Sequence, residues 1–190
     1  MSVSSLLVIG IAVLSAATGV AQTSGSAAAP ENFSAAVQIK TASGPISATI
    51  QIRISRFTPD FDRKLLDDAL RQGGYASFVT ALRRAPEVGT VAAGDSQFTI
   101  RLASERKTDK GRTIVIVTDK AVFFVGGARK DAKPRTGYET ALIQLQVDDA
   151  GTGTGTMAAA VRVKPDGEGG VRIDNYAEEP LDLKVTRQKP

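Results

Sequence analysis

The residues best suited to chemistry are basic side chains clustered in one predicted loop. Between Gly126 and Gly137 the only acid is Asp131, whereas the same stretch carries four cations: Arg129, Lys130, Lys133 and Arg135. Such a cluster binds phosphate, sulfate or an anionic envelope polymer through charge-assisted hydrogen bonds. The alternative interpretation is a solvated loop whose exposed charges keep a sheet edge from aggregating. The sequence thus offers a ligand-binding site at these four residues, or a loop that only faces water.

Two neighbouring acids, Asp148 and Asp149, offer oxygen ligands for a hard cation. Calcium loops, however, usually recruit three or more such ligands within about a dozen residues. Both acids flank a predicted turn, where Asp commonly accepts hydrogen bonds from nearby backbone N–H groups. We therefore predict no metal and no cofactor.

A second acidic group could place two carboxylates and a phenol together, which is the minimum for glycoside hydrolysis. Its members are Asp174, Tyr176, Glu178 and Glu179. The simpler interpretation is a polar connection between strands. Aromatic side chains for stacking on sugars are scarce in this chain, so we predict no catalytic residue and keep an Asp/Glu-dependent hydrolase as an alternative.

The run from Gly151 to Thr156 alternates glycine and threonine. A phosphate-binding loop would continue into a helix and carry a Lys followed by Ser or Thr at its end. Here a predicted strand follows instead. We interpret the run as the turn of a long hairpin, in which glycine allows the chain to reverse.

The amino-acid composition excludes several kinds of chemistry. The chain has no His, no Cys and no Trp. A Ser-His-Asp triad, a histidine metal ligand, a thiol nucleophile and a disulfide are therefore excluded. The net charge of +4 is spread along most of the sequence. Nucleic-acid-binding domains concentrate their charge on one face, so we predict no specific nucleic-acid partner.

The N-terminal region has the pattern of an export signal. An apolar run from Leu6 to Leu14 precedes small residues, and Gly19-Val20-Ala21 is a plausible cleavage site. No Lys or Arg precedes the run, so an uncleaved anchor or a disordered leader stays open. We predict a signal peptide over residues 1–21, a disordered tether over 22–31 and a single β-rich domain over 32–187. The location is then periplasmic or secreted, without a stable membrane span after processing.

Alternating apolar residues predict most of the domain to be β-strand. The clearest case runs from Ile46 to Ile54, with Ile50 at its centre and polar residues such as Gln51 between the apolar ones. About nine such segments, separated by short turns, favour an antiparallel β-sandwich or a partly closed β-barrel. The fold class is α+β, mainly β.

The pattern changes to a helical period after the second strand. Thr58 is a suitable N-cap, Pro59 suits the first helical position, and Gly73-Gly74 ends the apolar stripe. A second apolar stripe continues to Pro86. These signals predict a helical hairpin inserted after the second strand.

Several short signatures occur together across residues 33–185. They are Ala85-Pro86-Glu87-Val88-Gly89, the strand from Arg112 to Asp119, Tyr138-Glu139-Thr140, the glycine hairpin ending at Met157, and Asn175-Tyr176 followed by Pro180. As a set they resemble an uncharacterised family of secreted bacterial proteins of about this length. The resemblance implies a single exported domain and brings no activity with it.

These observations favour an exported, non-enzymatic binding module. Its partner is expected to be a small apolar ligand inside the barrel or an anionic envelope component at the basic loop. The alternatives are the hydrolase named above and a structural envelope protein without a small ligand.

The predicted leader can be tested by mass. If residues 1–21 are removed on export, the intact mass of the secreted protein corresponds to a chain that starts near Gln22. A full-length mass in the periplasmic fraction would contradict the predicted cleavage.

Overall fold

The computed structural model describes residues 30–41, 44–122, 136–165, 171–176 and 180–188. The predicted signal peptide and nearly all of the predicted tether lie outside these residues. The described part contains one helix, α1 (Asp60–Arg84), and nine strands. The strands are β1 (Glu31–Thr41), β2 (Gly44–Ile54), β3 (Gly89–Ala93), β4 (Ser96–Thr108), β5 (Gly111–Thr118), β6 (Thr140–Val147), β7 (Thr152–Pro165), β8 (Val171–Tyr176) and β9 (Leu181–Gln188).

The sheet is a closed, antiparallel barrel. Each of the strands β1 to β7 pairs with the next one along the chain, β7 pairs also with β9, and β9 pairs back onto β1. Eight strands therefore form the barrel wall, while β8 pairs with the C-terminal part of β7. The mainly-β class is confirmed, and the structure is a barrel, which is fully closed where the sequence predicted partial closure or a sandwich.

Alternation decides which side chains fill the interior. Ile50, Ile52 and Ile54 are buried, whereas Gln51 and Arg53 between them are exposed. Because successive side chains of a strand point to opposite faces, this confirms the predicted faces of β2. The same period on the other strands brings one continuous apolar cluster into the barrel.

The glycine-threonine run differs from its predicted role. The turn occupies residues 148–151, with Gly151 at a φ of 82°, and Thr152 already begins β7. An added Cβ on Gly153 would lie 1.9 Å from the carbonyl oxygen of Gln146. Glycine is thus required here because the backbones of β6 and β7 approach closely, and the chain reverses just before the run.

The predicted helical hairpin is not confirmed, since residues 60–84 form one helix. Its backbone departs from helical geometry only at Gly74, with φ 67° and ψ −165°. Pro59 takes the N-cap position, and no side chain caps the helix. Thr58, the predicted cap, bonds instead to β4: its hydroxyl accepts from the Ala103 N–H at 2.9 Å, and its own N–H donates to the Ala103 carbonyl at 2.7 Å.

The helix covers the outside of the barrel wall. Its buried residues pack on outward-facing residues of β5, β6 and β7: Leu66, Leu70, Phe78, Val79 and Leu82 contact a cluster that includes Val117, Leu142, Ala158, Val161 and Val163. Within the described part of the chain, no helix combines the length and the apolar character that a membrane crossing requires.

An ion pair closes one end of the barrel. Glu31 begins β1, Arg112 lies near the start of β5, and the two strands are four places apart in the eight-stranded wall. The Arg112 guanidinium donates to both carboxylate oxygens of Glu31 and, at 2.8 Å, to Glu105. Hydrogen bonding to Glu31 raises the pKa of Arg112 above its usual value. The connection that carries the basic residues leaves from the opposite end.

The packing of β2 gives a paired stability test. Replacing Ile50 by Ala removes a fully buried side chain and leaves a cavity, so we expect a loss of about 2–5 kcal/mol in the free energy of unfolding. Gln51→Ala changes an exposed side chain on the same strand and is expected to cost less than about 0.5 kcal/mol. Denaturant melts that rank the two variants in the opposite order would show that the faces of β2 are reversed.

Candidate functional site

The candidate site is the barrel end that carries the connection between β5 and β6. The four predicted binding residues, Arg129, Lys130, Lys133 and Arg135, lie outside the described residues. Both flanks of their loop are described, as residues 119–122 and 136–139. How these flanks are held determines what the barrel contributes to the site.

The N-terminal flank is fixed by buried hydrogen bonds. Thr118, which has no exposed surface, donates from its hydroxyl to the Lys120 carbonyl at 2.6 Å and accepts from the Ala141 N–H at 3.2 Å. The N–H of Val122 donates to the carbonyl of Ala159 on β7 at 2.9 Å. The chain therefore stays attached to β6 and β7 for four residues after β5 ends.

The C-terminal flank is held by Arg162 of β7. The Arg162 guanidinium lies 5.0 Å from the centre of the Tyr138 ring, and its Nε donates to the Gly137 carbonyl at 3.3 Å. The N–H of Gly137 donates to Glu139 Oε1 at 2.9 Å. Tyr138 is itself buried beside Ala160. Cation–π attraction and two hydrogen bonds thus fix the last residues before β6.

The Tyr75 hydroxyl joins the helix to the same flank. It donates to the Val161 carbonyl at 2.9 Å, accepts from the Glu139 N–H at 3.0 Å and lies 3.2 Å from the Thr140 hydroxyl. Burial raises the pKa of Tyr75, because an ionised phenolate would lose its hydration there. The break at Gly74 comes one residue earlier, where the helix changes its path.

The second half of α1 lies across four strands of the barrel wall, from β7 to β4. Residues 75–84 extend about 15 Å along the helix axis. Three strand spacings, from β7 to β4, also amount to about 14 Å. At the β4 side the Arg101 guanidinium donates to the Ala85 carbonyl at 2.8 Å, just after the helix ends. This segment is therefore fixed at both ends across four strands.

Irregular pairing concentrates in the same region. The register shifts between Ile100 and Leu102 in β4, between Thr140 and Leu142 in β6, and between Arg162 and Val163 in β7. Bulges of this kind bend a strand and redirect side chains. Two arginines lie at these register shifts. Arg101 donates to the Ala85 carbonyl just after the helix ends, and Arg162 donates to the Gly137 carbonyl in the C-terminal flank of the loop.

The two acidic candidates have structural partners. The carboxylate of Asp148 accepts from the Thr152 N–H at 2.8 Å, as a turn residue does. Among the described residues no group of three or more acidic side chains could hold a metal ion. Asp174 forms an ion pair with Lys164, and Glu178 and Glu179 lie outside the described residues. The described geometry therefore assembles no pair of catalytic carboxylates.

Apolar side chains fill the described barrel interior. The members of the interior cluster are at most 5% exposed, and Phe33, Ile50, Ile116, Ile143 and Met157 have no exposed surface. A side chain without exposed surface borders no space wide enough for a water molecule. The buried side chains of the described interior therefore leave little accessible surface inside the barrel.

No protein-family model, no curated protein and no solved structure matches this chain. The candidate site therefore rests on the basic residues of the sequence and on the geometry of the two flanks.

Sequence reasoning did not identify Tyr75 or Arg162 as site residues. Tyr75 lies 64 and 86 positions from the partners of its hydroxyl, and Arg162 lies 25 positions from Gly137. Periodicity assigned Tyr75 to the apolar face of a helix and did not single out Arg162 from the strand around it. A tyrosine directly after Gly73-Gly74 was the one local signal of an unusual helical position.

The Tyr75 contacts predict a measurable loss of stability. Tyr75→Phe leaves the Val161 carbonyl and the Glu139 N–H without this partner, so we expect the free energy of unfolding to fall by about 1–3 kcal/mol. Thr80→Ala is the control on the same helix, because its exposed hydroxyl bonds only the Ala76 carbonyl. Equal melting curves for the two variants would contradict the role of Tyr75.

The raised pKa of Tyr75 also predicts a pH dependence. Its folded-state pKa lies above the unfolded value of about 10. The resulting stabilisation is complete below pH of about 10 and is lost as the pH rises through the folded-state pKa. The stability difference between wild type and Tyr75→Phe should therefore be constant at neutral pH and shrink in alkali. A difference that grows in alkali would contradict the assignment.

Proposed function

We propose that this protein is an exported, non-enzymatic domain that binds an anionic envelope component at the loop-bearing end of the barrel. Arg129, Lys130, Lys133 and Arg135 are the proposed contacts. The observation that carries the proposal is that both flanks of their loop are fixed to the barrel and the helix by buried or partly buried hydrogen bonds. Binding residues are characteristically found on loops that a rigid scaffold positions.

The charge of the loop also supports binding at the loop-bearing end of the barrel. Residues 123–135 carry four cations and one acid, whereas at the flanks the cations Lys120 and Arg162 are matched by the acids Asp119 and Glu139. A local excess of one sign raises the concentration of oppositely charged partners and accelerates their association. The anionic group is then held by charge-assisted hydrogen bonds from Arg and Lys.

The packed interior supports a surface site over an internal one. The buried side chains of the interior cluster are at most 5% exposed, which leaves little surface for a small apolar ligand to contact. A structural envelope protein would have the same packed interior, so only a binding measurement distinguishes this alternative from the proposed function. We therefore test binding directly.

Heparin is the polyanion used to measure this binding. Binding by wild type should weaken with added salt, because exposed charges are screened over about 10 Å at 0.1 M. Arg129→Ser with Lys130→Ser removes two proposed contacts. At about 0.5 kcal/mol for each exposed ion pair, affinity should fall about fivefold, with an unchanged melting temperature.

The matched control is Arg106→Ser with Lys107→Ser. The two residues are exposed on β4, near the opposite end of the barrel, and their substitution removes the same number of positive charges. Arg63 and Lys64 are less suitable, since they are ion-paired with Asp60 and Asp68. Equal loss of binding in both double variants would mean that heparin responds only to net charge, and the proposed function would be wrong.

A further inference from the structure

We infer that Arg162 is a binding residue whose guanidinium receives an oxyanion group of the ligand: a phosphate, a sulfate or a carboxylate. The inference rests on the proposed function, because it places a specific contact at the same end of the barrel. It uses described residues only, namely Arg162, Tyr138, Gly137 and Glu139.

The first observation concerns the acidic partners of the partly buried arginines. Four arginines of the described part are partly buried: Arg63, Arg101, Arg112 and Arg162. The first three are ion-paired with Asp60, Asp119 and Glu31 respectively. Among the described residues Arg162 has no such acid; its guanidinium instead contacts the Tyr138 ring and the Gly137 carbonyl. An external anion would supply the missing partner.

The second observation is that the guanidinium is already oriented. Tyr138 lies against its face, and Nε is bound to the Gly137 carbonyl. In the described part of the chain, neither Nη group has a hydrogen-bond acceptor. Fixing a long side chain before binding lowers the entropy lost when the ligand arrives. The register shift next to Arg162 also sets its direction on β7.

The donor geometry of the Arg162 guanidinium defines the class of ligand that it binds. A guanidinium presents two parallel N–H donors, which match two oxygens of a phosphate, sulfate or carboxylate. Glu139 is the last residue of this flank, and its Oε1 accepts from the Gly137 N–H. A lysine at position 162 would retain the positive charge and lose the paired donors.

The test measures how well inorganic phosphate, sulfate and acetate compete with heparin, each against chloride at equal ionic strength. Arg162→Lys should raise the inhibition constant of at least one oxyanion about tenfold, which corresponds to about 1.4 kcal/mol. The anion affected most identifies the ligand group. Arg172→Lys is the control, because it makes the same change at an exposed position of the neighbouring strand β8.

Two results would overturn the inference. One is unchanged competition in Arg162→Lys; the other is an equal change in Arg172→Lys. If Arg162→Lys does not fold, the side-chain Nε–H resonance of Arg162 in wild type gives the answer. A shift on adding the competing oxyanion, absent with chloride, supports the contact, and no shift overturns it.

The same experiments separate this inference from the proposed function. Weaker heparin binding in the Arg129/Lys130 double variant together with unchanged oxyanion competition in Arg162→Lys would overturn only the role of Arg162. Equal loss of heparin binding in the Arg129/Lys130 and Arg106/Lys107 double variants would overturn the proposed function itself.

Discussion

The closure of the barrel depends on β7. This strand pairs with β6 on one edge, and its other edge pairs first with β9 and then with β8. Such close pairing requires Gly153 and Gly155, because a Cβ at either position would strike the backbone of β6. Without β7 the sheet would have two open edges, which are prone to pair with other chains.

Closure gives the barrel two unlike ends. At one end the Glu31–Arg112 ion pair crosses between opposite sides of the wall. At the other end the helix segment after Gly74, the bulges and the stacked pair of Arg162 and Tyr138 hold the flanks of a basic loop. Buried apolar side chains fill the described interior between these two ends.

Local patterns predicted the features that depend on neighbouring residues. Alternation identified the strands and placed Ile50 inward and Gln51 outward, and the 3.6-residue period located the helical region. The same patterns misplaced the turn at the glycine-threonine run, since glycine serves chain reversal and close backbone approach equally well. Thr58 was predicted to cap the helix because its local context gives no sign of Ala103, its partner on β4.

The candidate site was predicted only in part for the same physical reason. Four basic residues within a short loop are visible as a cluster in the sequence. The side chains that hold its flanks come from α1 and β7, far along the chain, and only the closed barrel brings them together. Barrel closure itself could not be predicted, because alternating strands fit a sandwich equally well.

Backbone amide NMR during titration with a short heparin oligosaccharide shows directly which end of the barrel binds the polyanion. Shifts should concentrate at the loop-bearing end, at Gly137, Tyr138 and Glu139 and around Arg162, with the interior residues Ile143 and Met157 unchanged. Shifts centred on Arg106 and Lys107 at the opposite end, or spread through the interior, would contradict binding at the loop-bearing end.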